Sequence, residues 1–152
     1  VNNAEFVSER RLVNRLKSYW DLSRGSAELP LFSHFNKSTI EDIWKNCILV
    51  SVTNSGRQIL YKYDHVGESA VEAFGKDLTG IYASSYEKSL MHGSNLLKYL
   101  DKSVEERSFL VSQGQFVNAE DKIIKFRDCI LPFVDTQNNV SNLVIGLSWR
   151  AF

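Results

Sequence analysis

Between Ala4 and Leu22 the apolar residues Phe6, Val7, Leu12, Val13, Leu16, Tyr19 and Trp20 recur every three or four positions, with Glu9, Arg10, Arg15, Lys17 and Asp21 largely between them. That period predicts one amphipathic helix of about five turns with a single apolar stripe. Ser23-Arg24-Gly25-Ser26 ends it, Gly25 serving as a left-handed cap. Through Pro30 to Asn36 the chain reads as an extended connection, and Ser38 or Thr39 is placed to cap a short helix reaching Trp44.

At Cys47 the period changes. Cys47 to Thr53 is rich in β-branched residues, Asn54-Ser55-Gly56 carries turn chemistry, and Ile59, Tyr61 and Tyr63 alternate with Leu60, Lys62 and Asp64, which together predict a β-hairpin. From Val66 to about Arg107 strand signals stop, and short helical patterns are punctuated by Gly67, Gly75, Gly80 and Gly93. The longest runs through Leu96, Leu97, Leu100 and Val104. Three further strand-like runs follow, Phe109 to Val117, Ile123 to Val134 and Val140 to Trp149, with Gln137-Asn138-Asn139 as a turn. Two strands, a helical middle and three strands behind a helical arm argue for an α+β domain with one antiparallel sheet and helices over one face.

Composition narrows the partners. Among the 152 residues, 18 Lys and Arg balance 18 Asp and Glu, and the 43% hydrophobic share is that of a globular chain. Charge is even along the chain, with seven basic and six acidic residues to Lys45, seven and eight from Asn46 to Ala119, and four and four afterwards. No basic footprint for nucleic acid or an anionic membrane emerges, and no run is long enough to span a bilayer. Cys47 and Cys129 sit in apolar runs without a CxxC pairing, so buried reduced thiols and a cytoplasmic location are expected.

His34, His65 and His92 are isolated, which disfavours a metal site, and no GxSxG or phosphate-binding glycine loop occurs. Glu105-Glu106 and Glu120-Asp121 read as solvated charge. The aromatics Tyr61, Tyr63, Phe109, Phe116, Phe126 and Trp149 lie in different strands and are placed to converge on one sheet face, as core or as the lining of an apolar pocket. Strand parity adds one anomaly. Lys125 and Arg127 share a face, so Ile124, Phe126, Asp128 and Ile130 share the other, and Asp128 becomes a carboxylate on an apolar surface that needs a partner or a ligand.

Several stretches line up with one family. Tyr19-Trp20-Asp-Leu-Ser-Arg24-Gly25, Leu29-Pro30, Tyr61-Lys-Tyr63 with Val66-Gly67, Gly75-Lys-Asp77-Leu78-Thr79-Gly80, Leu131-Pro132-Phe133-Val134-Asp135 and Leu143 to Trp149 resemble the short stand-alone PAS-domain proteins of alphaproteobacteria. In those a YW-x-x-x-R-G helix precedes a PAS core with a G-x-x-L-T-G element and an L-P-L/F turn. The resemblance implies a PAS-like sheet of five antiparallel strands in the order 2-1-5-4-3, with short crossover helices on one face and the Leu96-to-Val104 helix across it. It divides the chain into an N-terminal arm, 1–29, and a sensor or interaction domain, 30–152.

The function implied is that of a non-enzymatic bacterial signalling domain. It would bind a small molecule between sheet and helices, an unidentified signalling protein, or both, acting through protein association, and form a homodimer through the N-terminal helix. The cavity residues expected are Ile48, Val50, Tyr61, Tyr63, Leu97, Phe126, Asp128, Ile130, Ile145 and Leu147. The cofactor is left unknown. Flavin is disfavoured because neither cysteine lies in an N-C-R-F-L-Q-like helix, and haem because Met91-His92-Gly93 is a poor platform for an axial ligand. With only Arg150, Ala151 and Phe152 beyond Trp149, output is expected to pass through a partner. Two other readings compete. One is a cavity enzyme resembling the ketosteroid isomerase and dehydratase-like group, using Asp128 with Tyr61 or Tyr63; the other is a ligand-free dimer scaffold.

Overall fold

β-Branched and aromatic alternation in two separate stretches builds a single five-stranded antiparallel sheet. Its strands are β1 (Cys47–Asn54), β2 (Ile59–Val66), β3 (Leu110–Val117), β4 (Ile123–Val134) and β5 (Val140–Ala151), in the spatial order β2-β1-β5-β4-β3. The structure, a computed structural model, describes residues 3–83 and 96–152, with side chains from Arg10 onward. Its helices are α1 (Asn3–Arg24), α2 (Glu68–Phe74) and α3 (Leu96–Glu106), with 3-10 turns over Phe32–His34 and Lys37–Asn46. β1 and β5 are central neighbours, pairing from Cys47↔Gly146 to Ser51↔Asn142. Their continuous apolar runs follow, because both faces of the sheet are covered.

Each face carries its own core. On the inner face, α2 and α3 pack Ala70, Phe74, Leu96 and Leu100 against Ile48, Val50, Ile130, Ile145 and Leu147. On the outer face, α1 lays Leu12, Leu16, Tyr19 and Trp20 against Cys47, Cys129, Leu131, Phe133 and Val144. At about 1.5–3 kcal/mol for each large side chain taken from water, that stripe is a substantial reason for the arm to lie on its own sheet. Polar ties fix its position: the Trp20 indole N–H donates to the Pro132 carbonyl at 2.9 Å, and the Asn36 amide donates to the Tyr19 hydroxyl at 2.9 Å. Pro132 is tolerated inside β4 because β3 pairs only as far as Ile130.

The structure corrects the sequence reading locally. α1 runs on to Arg24, with Gly25 at φ +58° as its cap. The segment before β1 is 3-10, interrupted at Ile40, and its cap is Asn36 rather than Ser38 or Thr39: the Asn36 Oδ1 accepts from both the amide and the hydroxyl of Ser38. Phe109 precedes β3 and turns to the outer face, where its ring centroid lies 6.1 Å from that of Trp20. It is therefore not among the aromatics that converge on the inner face.

Candidate ligand site on the inner face

Strand parity gathers the ten candidate residues on one side. Ile48 and Val50 of β1 stand beside Ile145 and Leu147 of β5, Tyr61 and Tyr63 come from β2, Phe126 and Ile130 from β4, and half-buried Leu97 from α3 packs against them. Asp128 alternates with Phe126 and Ile130, pairs with Leu147 in register, and is fully buried.

The Gly75-to-Gly80 element holds this surface in place. Gly75, at φ +73°, ends α2. Leu78 is buried in the inner core, Asp77 accepts from the Thr79 amide at 2.9 Å and from its hydroxyl at 2.7 Å, and Gly80, at φ +87°, donates its amide to the Tyr63 carbonyl at 2.7 Å. Positive φ at both glycines lets this tight connection close over the edge of β2. Beneath it, aromatic centroids follow one another from Tyr63 to Phe74 at 6.4 Å, to Phe116 at 6.0 Å and to Phe126 at 5.8 Å. Phe74, Phe116 and Leu78 belong to this lining although the candidate set omits them; Phe74 was readable as the last apolar position of a short helix ending at Gly75.

Polar groups interrupt the apolar face. The Tyr61 hydroxyl donates to Asp101 Oδ1 of α3 at 2.6 Å, tying helix to sheet, and burial followed by that carboxylate pushes the phenol up. Asp128 accepts from the hydroxyl of Ser112, its cross-strand neighbour on β3. Tyr63 is different: its side chain is buried, its hydroxyl has no hydrogen-bond partner among the described residues, and burial raises its pKa. The pairing of Asp128 with Tyr61 or Tyr63 that an isomerase-like site requires is replaced by Tyr61 with Asp101 and Asp128 with Ser112.

The thiols lie on the opposite side. Cys47 and Cys129 are both buried in the outer core beneath α1, and both are in register with Gly146 of the intervening strand. Burial pushes Cys47 up to about 12; burial, with Asp128 and Cys47 nearby, raises Cys129 well above the usual thiol value. His65 also faces outward, stacked on Trp44 at 5.0 Å with its Nε2 buried and unpartnered among the described residues. Among the described residues no three His, Cys, Asp or Glu side chains are grouped to hold a metal ion, and His92 lies outside the described residues. No helix among them is long and apolar enough to cross a membrane.

No family model and no curated protein matches the sequence. Solved structures do. The chain is similar to a light-oxygen-voltage (LOV) domain studied with a flavin analogue, with a TM-score of 0.57 at 9% identity over 74% of this chain and 82% of that one. It is similar also to the light-state LOV domain of the blue-light photoreceptor Aureochrome1, with a TM-score of 0.53 at 8% identity over 74% and 85% of the two chains. A LOV protein of Rhodobacter sphaeroides superposes with a TM-score of 0.53 at 8% identity over 76% and 68%. The chain has a PAS-type fold. The sheet order expected from the resemblance is the one observed.

These neighbours limit one expectation. One of them was studied with a flavin analogue, whereas flavin is disfavoured from this sequence. What does not fit is a flavin–thiol adduct on the inner face: the sequence has two cysteines, and both lie under α1.

Proposed function

We propose that the chain is a PAS-type signalling module that binds a small molecule between the inner face and the helices, without catalysing a reaction on it. Binding would favour one packing of helices on sheet and so change what a partner protein meets, a population shift set by the ligand's differential affinity. The observation that carries this reading is Tyr63. Its buried hydroxyl has no partner among the described residues, a buried hydroxyl left unpaired costs about 1–3 kcal/mol, and a ligand that accepts from it recovers that loss. The Ser112–Asp128 pair supplies a polar position on the same face.

The arm belongs to the same proposal. Leu12, Leu16, Tyr19 and Trp20 are occupied by the chain's own sheet, so a homodimer through α1 would use its solvent side, where Leu22 is 83% exposed. Residence in a bacterial cytoplasm is part of the reading, supported by two free thiols in the outer core.

Native mass spectrometry of protein purified from its own host tests it, alongside visible absorption. A retained small molecule that Tyr63→Phe releases supports the module; if that molecule is a flavin, the reading becomes a noncovalent flavin sensor. An empty homodimer removes the ligand and leaves the scaffold. An empty monomer overturns both.

A further inference from the structure

A cleft of about 520 Å3 opens where the tip of the β1–β2 hairpin, the end of α3 and the β4–β5 turn meet. None of the ten inner-face candidates lines it. Its floor is aliphatic: Val52, Ile59, Val104 and Val140 are half-buried and pack on the inner core from below. Its lining holds one cation, Arg107, and one anion, Asp135.

Both charged groups are held by neighbouring chain and keep free valence. Arg107 is the first residue after α3 and sits at φ +51°, a left-handed position where glycine is the usual choice. Its guanidinium donates from Nε to Glu28 at 2.5 Å, from Nη1 to the Asn138 carbonyl at 3.0 Å and from Nη2 to Asn138 Oδ1 at 2.8 Å. Arginine has five N–H groups, so one on each terminal nitrogen is left without a partner among the described residues. Asp135 accepts the Gln137 and Asn139 amides on Oδ1 at 2.9 and 3.0 Å, leaving Oδ2 without a partner among the described residues. The Asn138 amide also bonds the Asp135 carbonyl at 3.0 Å, so both charges are anchored to one turn.

We propose that this cleft binds an aliphatic α-amino acid, its carboxylate on a remaining N–H group of Arg107, its ammonium on Asp135 Oδ2 and its side chain on the valine and isoleucine floor. A simple anion would meet Glu28 and Asp135 together, two negative charges against one guanidinium. A zwitterion pairs with both lining charges and adds no net charge. The cleft lies within the usual size range of small-molecule sites. The proposal does not depend on occupancy of the inner face.

The test is a titration of the whole chain followed by amide NMR and calorimetry, with L-leucine as the probe. L-leucine should move the amides of Val52, Ile59, Val104 and Val140. Two analogues, 4-methylpentanoate without the ammonium and 3-methylbutylamine without the carboxylate, should bind at least about tenfold more weakly, the loss of one charge-assisted hydrogen bond. Asp135→Asn keeps an oxygen for the turn amides, and Arg107→Gly suits the backbone; each should weaken L-leucine binding by a similar factor, whereas Tyr63→Phe leaves it unchanged. No shift with L-leucine, equal binding of 4-methylpentanoate, or wild-type affinity in Asp135→Asn would each overturn the assignment. The analogue arms use the unaltered protein and stand even where a variant fails to fold.

Discussion

Leu16 of α1 sits directly on Gly146 of β5: a Cβ built on Gly146 would come 2.2 Å from the Leu16 Cδ1 and 3.2 Å from the Cys129 Sγ. The absent side chain at 146 makes the depression into which the helix inserts its one fully buried leucine. Gly146→Ala should therefore destabilise the protein by about 1–3 kcal/mol through overpacking, and Leu16→Ala by about 2–5 kcal/mol through the cavity it leaves. The double variant should lose less than the sum, because the added methyl occupies space vacated by Leu16. Urea denaturation of the four proteins measures the coupling; strict additivity would mean that the two residues do not share the contact.

The same contact closes over both thiols. Burial keeps Cys47 and Cys129 protonated at neutral pH, so the native protein should react with a thiol reagent far more slowly than its urea-unfolded form. Leu16→Ala should speed native labelling more than it raises the globally unfolded fraction, since freeing α1 alone uncovers the sulfurs. Equal acceleration of labelling and global unfolding would show that α1 and the sheet open as one unit.

Alkaline pH should weaken the fold in a defined window. Cys47 ionises near 9.0 when unfolded and near 12 when folded. Its contribution is therefore complete below pH 9, and is lost as pH rises towards 12, at about 1.4 kcal/mol per pH unit. Cys129, Tyr61 and Tyr63 are raised as well and steepen the same decline. Cys47→Ala should flatten the dependence of denaturation free energy on pH between 9 and 11 by about one proton. An unchanged slope would place that thiol in contact with water.

Ser112 gives a measure of the polar pair on the inner face. Ser112→Ala removes a donor from the buried Asp128 carboxylate and should cost about 1–3 kcal/mol, while Ser112→Thr keeps the hydroxyl and suits a strand. Thermal melts of the two variants compare them. A threonine variant as unstable as the alanine one would show that packing, and not the hydrogen bond, is what Ser112 supplies.

Some of this was legible in the chain and some was not. Period-two alternation around Lys125 and Arg127 was enough to put Asp128 inside, because parity is a local property of a strand. Its partner Ser112 could not be read, since choosing it needs the register between β3 and β4, to which distant residues contribute. The stripe from Leu12 to Trp20 announced a buried face without saying what buries it; that depends on Gly146, over a hundred residues away, lacking a side chain. The Asn36 cap was displaced from Ser38 because the amide side chain reaches two groups at once. The terminal cleft draws on four separated segments, so no window of sequence contains it.

Tyr63 joins stability to the proposed function. Tyr63→Phe keeps the ring against Phe74 and removes only the hydroxyl, which has no partner among the described residues. In ligand-free protein this should leave stability unchanged or raise it by up to about 1 kcal/mol, because a desolvated polar group is deleted and no hydrogen bond is lost. Retention of a small molecule on the inner face should fall at the same time. Melting temperatures of delipidated, ligand-stripped wild type and variant, set beside their native mass spectra, separate two cases. A variant that melts lower when empty would mean the hydroxyl is satisfied in the native protein. A variant that melts as high or higher yet binds less would mark Tyr63 as a residue whose stability cost is kept for its ligand.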